Sequence, residues 1–219
     1  MNTPRASRIR EEDVPIALQD VTLHGDLIVP PEAKGIILFS HGSGSSRNSP
    51  RNRWVAEVLH QHGLGTLLFD LLTRHEDDVE DLRFDIPLLS ARLIAVTRWV
   101  HSRSALIDLP LGLFGASTGA ASALYTAAAL PQVVKAVVSR GGRPDLAMDA
   151  LPQVTAPTLL IVGGEDGPVI DMNQAAFDAL RCIKQFRIVP GATHLFEEPG
   201  KLEEVARLAA AWYARHLMV

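Results

Sequence analysis

The stretch Leu111-Gly-Leu-Phe-Gly-Ala-Ser-Thr-Gly119 decides the fold. Its beginning, residues 111–114, has the length and apolar character of a buried strand, and residues 120–130 after it have the small apolar side chains of a closely packed helix. Between the two, the G-x-S-x-G pattern places Ser117 on a sharp turn from strand to helix. Such a turn exposes a serine hydroxyl at the edge of a sheet, and the N–H groups at the start of the helix point toward the atom under attack. The pentapeptide alone occurs often by chance, but this setting indicates that Ser117 is a nucleophile.

Outward from this stretch, apolar strands alternate with helices along the chain. The predicted strands cover residues 16–18, 21–29, 35–40, 66–69, 111–114, 133–139, 158–162 and 186–189, and the predicted helices cover residues 50–62, 86–100, 120–130, 171–180 and 199–217. This alternation predicts the α/β class, with a mostly parallel central sheet of about eight strands and helices on both faces.

No linker or repeat interrupts the pattern, so residues 1–219 are expected to form a single domain. The polar residues 1–14 are expected to be loose, and the charged residues 74–85 are expected to form a solvated loop.

A serine hydroxyl is a weak nucleophile and needs a general base. His194 lies in a loop directly after the last predicted strand, at the carboxyl end where sites form in parallel sheets. Asp166 follows the strand 158–162 at the same edge and is the candidate acid that orients the imidazole. Glu165 is its competitor and Asp171 a more distant one.

The strand 35–40 runs into a loop of small residues, His41-Gly-Ser-Gly-Ser-Ser46. Because glycine and serine let a backbone N–H approach a substrate oxygen closely, the N–H groups of Ser43 and of Thr118, the residue after the nucleophile, form the candidate oxyanion hole. His41 in the same loop is a candidate substrate-binding residue. A phosphate-binding loop is the alternative, but the known phosphate-loop patterns are not matched here.

These features together resemble the α/β-hydrolase superfamily over residues 15–217. The resemblance is carried by the order of strands, the His41-Gly42 loop, the turn at Ser117, the Gly163-Gly-Glu-Asp166 turn, the Gly191-Ala-Thr-His194 loop and the chain order of serine, acid and histidine. Within the superfamily the chain is similar to the dienelactone-hydrolase-like group of small enzymes without a lid. This resemblance implies an eight-stranded, mainly parallel sheet and ester hydrolysis through a covalent acyl-enzyme. Dienelactone hydrolases use a cysteine nucleophile where this chain has Ser117, and that difference points to a serine esterase.

The stretch Ser139-Arg-Gly-Gly-Arg-Pro144 looks like one found in proteins that fuse such a hydrolase to a phosphoribosyltransferase. Arg140 and Arg143 follow a strand at the edge expected to hold the site. Arg140 is therefore a candidate to bind a substrate carboxylate through two hydrogen bonds, and the alternative for these arginines is a structural salt bridge to an acid such as Asp145.

The segment between the strands 133–139 and 158–162 is short. Only about 18 residues lie there, which leaves no room for the cap domain that lipases and epoxide hydrolases often carry at this point. We therefore expect an open, shallow site that favours small or short-acyl esters.

Composition narrows the classes of function. The formal net charge of -4 disfavours nucleic-acid binding, and a single cysteine, Cys182, excludes an internal disulfide and a cysteine-based zinc cluster. No apolar run reaches the roughly 18 residues of a membrane span, and residues 1–14 lack the apolar region of a secretory signal. We expect a cytoplasmic protein with no nucleic-acid or membrane partner, no cofactor and no metal. The oligomeric state is left open.

The sequence thus predicts a serine carboxylester hydrolase with Ser117, His194 and Asp166 as its triad. The same triad could hydrolyse thioesters or lactones instead. A non-catalytic binding module with the hydrolase fold, and a docking module that works beside a separate phosphoribosyltransferase, are the alternatives from other classes.

Overall fold

Residues 9–217 are described by the computed structural model, and eight strands within this part of the chain form one sheet in the order β1-β2-β4-β3-β5-β6-β7-β8. The strands are β1 (Ile9–Ala17), β2 (Thr22–Val29), β3 (Ile36–Ser40), β4 (Gly65–Phe69), β5 (Leu111–Ala116), β6 (Val134–Arg140), β7 (Thr158–Gly163) and β8 (Lys184–Val189). β1 and β2 run antiparallel to their neighbours, and the other strands pair in parallel. The predicted α/β class and mostly parallel sheet are confirmed.

Helices cover both faces of this sheet. Within the described residues they are α1 (Pro50–Gln61), α2 (Arg74–Asp77), α3 (Ile86–Ser102), α4 (Gly119–Ala129), α5 (Gly167–Ala179) and α6 (Lys201–Leu217). On one face Leu93 of α3, Leu124 of α4 and Ala176 of α5 belong to the main apolar core. On the other face Leu59 of α1 and Trp212 of α6 belong to a second apolar core. The loops that carry the candidate site residues begin at the carboxyl ends of the parallel strands.

The first strand corrects one prediction. Residues 1–14 were expected to be loose, but β1 begins at Ile9, while residues 1–8 lie outside the described part of the chain. Val14 and Ile16 are buried against the core, and Glu11 accepts a hydrogen bond from Arg103 at 3.0 Å. Because β1 pairs only with β2, it is an edge strand, and its polar residues can point to solvent without breaking the strand.

The charged segment 74–85 corrects another prediction, since it contains α2 and a 3-10 helix at Glu80–Phe84 where a solvated loop was expected. A capping box starts α2: the hydroxyl of Thr73 accepts the N–H of Glu76 at 3.3 Å, and the Glu76 carboxylate accepts the N–H of Thr73 at 2.8 Å. Arg92 of α3 donates to the same carboxylate at 2.9 Å. The run of charged residues in the sequence did not reveal this local hydrogen bonding.

The connection between β6 and β7 carries two short 3-10 helices, Pro144–Ala147 and Leu151–Gln153, and no cap domain. Across residues 9–217, no helix combines the length and the apolar character that crossing a bilayer requires.

Candidate active site

Ser117 adopts a backbone conformation that is unusual for a side-chain-bearing residue. Its φ angle is +51°, in the left-handed region that non-glycine residues rarely enter. Three backbone hydrogen bonds hold it there: the N–H of Ser117 donates to the carbonyl of Arg140 at 3.2 Å, and its own carbonyl accepts the N–H groups of Ala120 at 3.1 Å and Arg143 at 2.9 Å. Strain of this kind persists where the surroundings enforce it, which is typical of functional sites.

The glycines on each side of Ser117 are required by close packing. A Cβ atom on Gly115 would lie 2.5 Å from the Cα of Ala120, and one on Gly119 would collide with the carbonyl oxygen of Ser40. Only glycine therefore lets α4 start directly against β5 and β3. The G-x-S-x-G pattern is explained by these contacts.

His194 and Asp166 are joined by a hydrogen bond. His194 Nδ1 lies 2.7 Å from Asp166 Oδ2, and the Asp166 side chain is only 12% exposed. Because the carboxylate accepts the proton on Nδ1, Nε2 of the neutral ring is left as an acceptor. Glu165, the competitor, is exposed, and its N–H donates to the carbonyl of Ala192.

Ser117 and His194 lie on either side of the turn that follows β6. A Cβ atom on Gly141 would be 3.6 Å from His194 Cε1, and the preceding residue, Arg140, accepts the N–H of Ser117. Among the described residues no hydrogen bond joins Ser117 Oγ to the His194 ring. Such bonds are often long until a substrate is bound.

The loop that carries His194 is closed by a contact that sequence analysis did not find. Glu198 accepts the hydroxyl of Thr193 at 2.6 Å and the N–H of Thr193 at 3.1 Å. These hydrogen bonds lower the pKa of Glu198, and the bond from the Thr193 hydroxyl has the largest effect. The side chain of Phe196, two residues after His194, is buried and fixes the loop to the second apolar core.

Ser43 and Thr118 meet beside Ser117. The N–H of Ser43 donates to Thr118 Oγ1 at 2.9 Å, and the hydroxyl of Ser43 donates to the carbonyl of Arg83 at 2.9 Å. The loop and Ser117 are close, because a Cβ atom on Gly42 would lie 2.9 Å from Ser117 Cβ. Within residues 9–217 the N–H of Thr118 has no acceptor, whereas that of Ser43 is already occupied.

His41 does not fit the predicted substrate-binding role. It is buried, its Nδ1 contacts the carbonyl of Gly42 at 3.0 Å, and its Nε2 accepts the N–H of Leu71 at 3.1 Å. Burial lowers the pKa of His41, so the ring is neutral and Nδ1 is the donor. Both ring nitrogens are used by the backbone, and we do not retain a substrate contact for His41.

Arg140 and Arg143 differ sharply. The Arg143 guanidinium forms two short hydrogen bonds with Asp145, at 2.9 and 2.8 Å, which is the structural salt bridge considered above. Arg140 is buried, and its Nε and Nη1 atoms have no hydrogen-bond partner in the described part of the chain. Burial, and to a lesser degree the charge of Arg51, lowers the pKa of Arg140 to about 10.

Apolar side chains are exposed in loops at the carboxyl edge of the sheet. Several large apolar side chains in loops that follow the strands are exposed, and these are Val79, Phe84, Leu146, Met148 and Leu195. A cavity of about 380 Å³ lies elsewhere, between α1 and the strands β1, β2 and β4, and Ser117 is not in its lining. Six charged residues in that lining form ion pairs, namely Arg10–Glu12, Arg47–Asp13 and Arg53–Asp26.

Comparison with known proteins places this geometry in a family. The chain is 54% identical to a dienelactone hydrolase from Anabaena variabilis of known crystal structure, with a TM-score of 0.92 over 95% of this chain and 98% of that one. It shares its fold with Est1E from Butyrivibrio proteoclasticus, with a TM-score of 0.82 over 94% of this chain and 98% of that one, at 16% identity.

A longer relative is known from Mycobacterium tuberculosis. The chain is 56% identical over 210 residues to a protein provisionally named as a phosphoribosyl transferase, and this match covers 95% of the chain but 47% of that protein. The chain therefore spans about half the length of this relative. The model of the dienelactone hydrolase family matches residues 25–218. The chain belongs to the dienelactone hydrolase family, and the predicted resemblance is confirmed.

Proposed function

We propose that the protein is a serine carboxylester hydrolase that acts on small or short-acyl esters. The observation that carries this proposal is the 2.7 Å hydrogen bond between Asp166 and His194, next to the turn that holds Ser117 at a φ angle of +51°. Membership in a family of ester-bond hydrolases supports the same reaction class.

The reaction is a double displacement. Ser117 Oγ attacks the ester carbonyl while His194 Nε2 takes the hydroxyl proton, and Asp166 stabilises the imidazolium that forms. His194 then gives the proton to the leaving alkoxide, and the acyl group stays on Ser117. A water molecule, deprotonated by His194, attacks the acyl-enzyme, and the carboxylic acid and free Ser117 result.

The negative charge on the carbonyl oxygen needs donors. The N–H of Thr118 is available for it, and the N–H of Ser43 becomes a second donor when it exchanges the Thr118 hydroxyl for the substrate oxygen. One such donor contributes about 3 kcal/mol of transition-state stabilisation.

The substrates are small molecules. The connection between β6 and β7 has no cap, and the exposed apolar side chains of Phe84, Leu146 and Leu195 offer contacts for a short acyl or alcohol group. The similar protein from Anabaena variabilis is named a dienelactone hydrolase. Lactones and thioesters are therefore the first alternatives to simple esters.

A docking role beside a phosphoribosyltransferase is the second candidate. One observation favours it: the relative named as a phosphoribosyl transferase is about twice as long as the part that this chain matches. Esterase activity and docking do not exclude each other, and co-purification with a phosphoribosyltransferase would support the docking role.

Hydrolysis of p-nitrophenyl esters from acetate to decanoate tests the proposed function. We expect activity that falls with chain length and is lost in Ser117→Ala, whereas the control Ser102→Ala, at the exposed end of α3, keeps it. A phosphonate ester should add covalently to Ser117 in the wild type. Absence of turnover on every ester, with folding intact, would refute the proposed activity and favour the binding or docking role.

A further inference from the structure

A buried amide lies between the turn after β6 and the first turn of α5. It belongs to Asn173 in the middle of α5, a residue that is fully buried. Its Nδ2 group donates to the carbonyl of Gly142 at 2.9 Å and to the carbonyl of Val169 at 2.8 Å. One side chain therefore joins two backbone segments that come from different parts of the sequence.

The first of these segments holds the backbone of Ser117. The carbonyl of Arg140 accepts the N–H of Ser117 at 3.2 Å, and the N–H of Arg143 donates to the carbonyl of Ser117 at 2.9 Å. Gly142 lies between these two arginines in the sequence. A hydrogen bond to the carbonyl of Gly142 therefore acts on the turn that positions the candidate nucleophile.

The second segment carries Asp166, which is the N-cap residue of α5. An aspartate at this position usually accepts N–H groups of the first helical turn with its carboxylate. Within the described residues the carboxylate of Asp166 makes no such bond, and it accepts the Nδ1 proton of His194 instead. The N–H of Val169 donates to the backbone carbonyl of Asp166 at 3.0 Å. The amide of Asn173 thus holds the helical turn on which the orientation of Asp166 depends.

A backbone hydrogen bond next to Gly142 assists this amide. The N–H of Gly141 donates to the carbonyl of Ile161 in β7 at 2.8 Å. A single hydrogen bond would let the turn rotate about it, whereas two bonds at neighbouring residues fix its orientation. The bond from Asn173 is made by a side chain, so a substitution can remove it.

The oxygen of the same amide is unpaired. Oδ1 of Asn173 is buried without a hydrogen-bond partner in the described part of the chain, and a buried unpaired acceptor lowers stability. Ala176, three residues further along α5, belongs to the main apolar core. A side chain that served packing alone would be apolar at position 173 as well. The contribution of Asn173 therefore lies in the two hydrogen bonds that its Nδ2 group donates.

We propose that Asn173 is a positioning residue for the reaction, because it keeps Ser117 in register with Asp166. His194 moves with Asp166, since their side chains are hydrogen-bonded, so this register also sets the approach of Ser117 Oγ to His194 Nε2. A displacement of about 1 Å between reacting groups can lower a rate about 100-fold. The inference rests on the proposed function and adds to it a buried residue that acts through the backbone.

Two variants of Asn173 remove the bond to Gly142 in different ways. Asn173→Leu has a similar side-chain volume and donates no hydrogen bond. Asn173→Ser is too short to reach Gly142, but its hydroxyl can donate to the carbonyl of Val169 four residues back in the helix. Ala176→Gly is the matched control, because it weakens the packing of the same helix and leaves Asn173 unchanged. Urea unfolding measures the stability of all three.

The first readout is steady-state kinetics on a short p-nitrophenyl ester. We expect kcat to fall at least about tenfold in both Asn173 variants while KM stays within about threefold, because the alignment of the reacting groups changes and the binding contacts do not. Ala176→Gly should keep the wild-type kcat even where it is the least stable protein. A wild-type kcat in both Asn173 variants would overturn the positioning role, as would an equal loss in Ala176→Gly.

A double-mutant cycle with His194→Gln distinguishes positioning from a general loss of structure. If Asn173 acts by aligning Ser117 with His194, Asn173→Leu should change kcat/KM by no more than about twofold in the His194→Gln background. An equal loss in both backgrounds would contradict the inference. Asn173→Ser replaces Asn173→Leu in this cycle if the latter does not fold. Failure of both to fold would assign Asn173 a structural role and overturn the positioning role.

Phosphonylation separates this inference from the proposed function. A p-nitrophenyl alkylphosphonate forms a bond from phosphorus to Ser117 Oγ and releases p-nitrophenolate, while the hydroxyl proton passes to His194. Mass spectrometry measures the rate of this step without ester turnover. We expect the rate to fall at least about tenfold in the Asn173 variants and to be unchanged in Ala176→Gly.

The outcomes of this measurement are distinct. If the wild type turns over no ester but is phosphonylated, the proposed function fails and the phosphonylation rates still judge the role of Asn173. Equal rates in the wild type and both Asn173 variants overturn only that role and leave esterase activity standing. A wild type that neither turns over esters nor reacts with the phosphonate overturns both.

Discussion

The N–H of Ser43 donates to the side-chain hydroxyl of Thr118 at 2.9 Å, so two residues of the candidate oxyanion hole are bonded to each other before any substrate is present. The hydroxyl of Ser43 donates to the carbonyl of Arg83, and the Thr118 hydroxyl is therefore left to donate to Ser43 Oγ, 2.9 Å away. These hydrogen bonds join the loop after β3 to the start of α4. Thr118 Oγ1 therefore accepts the same N–H, that of Ser43, which the candidate oxyanion hole would offer to a substrate oxygen.

Thr118→Val removes this competitor and keeps the Thr118 N–H. A net hydrogen bond contributes about 1 kcal/mol, so we expect kcat/KM for esters to rise about fivefold and stability to fall by about 1 kcal/mol. Thr97→Val, which removes a buried hydroxyl in α3 far from the site, should reproduce the stability loss without the kinetic gain. An unchanged kcat/KM in Thr118→Val would show that Ser43 does not bind the developing charge.

Asp166→Asn should reduce kcat by roughly 10⁴-fold, because an amide in place of the carboxylate favours the wrong imidazole tautomer. Glu165→Gln, one residue earlier and exposed, should stay within about twofold of the wild type. Steady-state kinetics on a short p-nitrophenyl ester measures both. A large loss in Glu165→Gln together with a small one in Asp166→Asn would reverse the assignment of the acid.

Gly119→Ala should unfold the protein or cost several kcal/mol, because the added Cβ would collide with the backbone carbonyls of Ser40 and His41. Gly167→Ala is the matched control, since a Cβ atom there would have no neighbour within 4 Å. Urea unfolding of both variants gives the two free energies. Similar stabilities would contradict the close packing of α4 on β3.

Stability should fall as the pH drops from 7 toward 5. Burial holds the pKa of His41 below its usual value of 6.5, against smaller opposing contributions from Gly42, Asp70 and Asp77. Between pH 7 and 5, His41 becomes protonated in the unfolded chain but stays neutral in the folded protein. The free energy of unfolding therefore decreases on acidification, by up to about 1.4 kcal/mol per pH unit for this group. His216, whose pKa burial also lowers, contributes in the same direction.

Urea unfolding between pH 5 and 7 measures this slope. His41→Gln should flatten it, even though the variant is less stable overall, and the exposed His101→Gln should not. An equal slope in His41→Gln and the wild type would contradict the role of His41.

The core strands could be predicted from the sequence because they are buried on both faces, so that their apolar runs are continuous. The edge strand β1 could not, since a strand paired on one side tolerates the polar residues Arg10, Glu11 and Glu12. The short helix α2 was hidden for a related reason. Its stability comes from the capping box of Thr73 and Glu76, which a charge run masks.

At the candidate site, the sequence indicated which loops would meet, because the carboxyl ends of parallel strands share one edge. It did not reveal which polar atoms are already satisfied. By position in the sequence, His41 and Arg140 were equal candidates for substrate binding. In the structure both ring nitrogens of His41 are hydrogen-bonded to the backbone, whereas the buried Nε and Nη1 atoms of Arg140 have no partner within the described residues. This distinction depends on the positions of side-chain atoms, which the spacing of residues along the sequence does not determine.

One short turn fixes the spacing of Ser117 and His194. The backbone of Ser117 is hydrogen-bonded on one side to Arg140 and on the other to Arg143, and a Cβ atom on Gly141 between them would lie 3.0 Å from the carbonyl oxygen of His194. The segment 144–153 starts just beyond this turn and bears none of these contacts to Ser117 or His194. A lid inserted in this segment could therefore change substrate selection without moving Ser117 and His194 relative to each other.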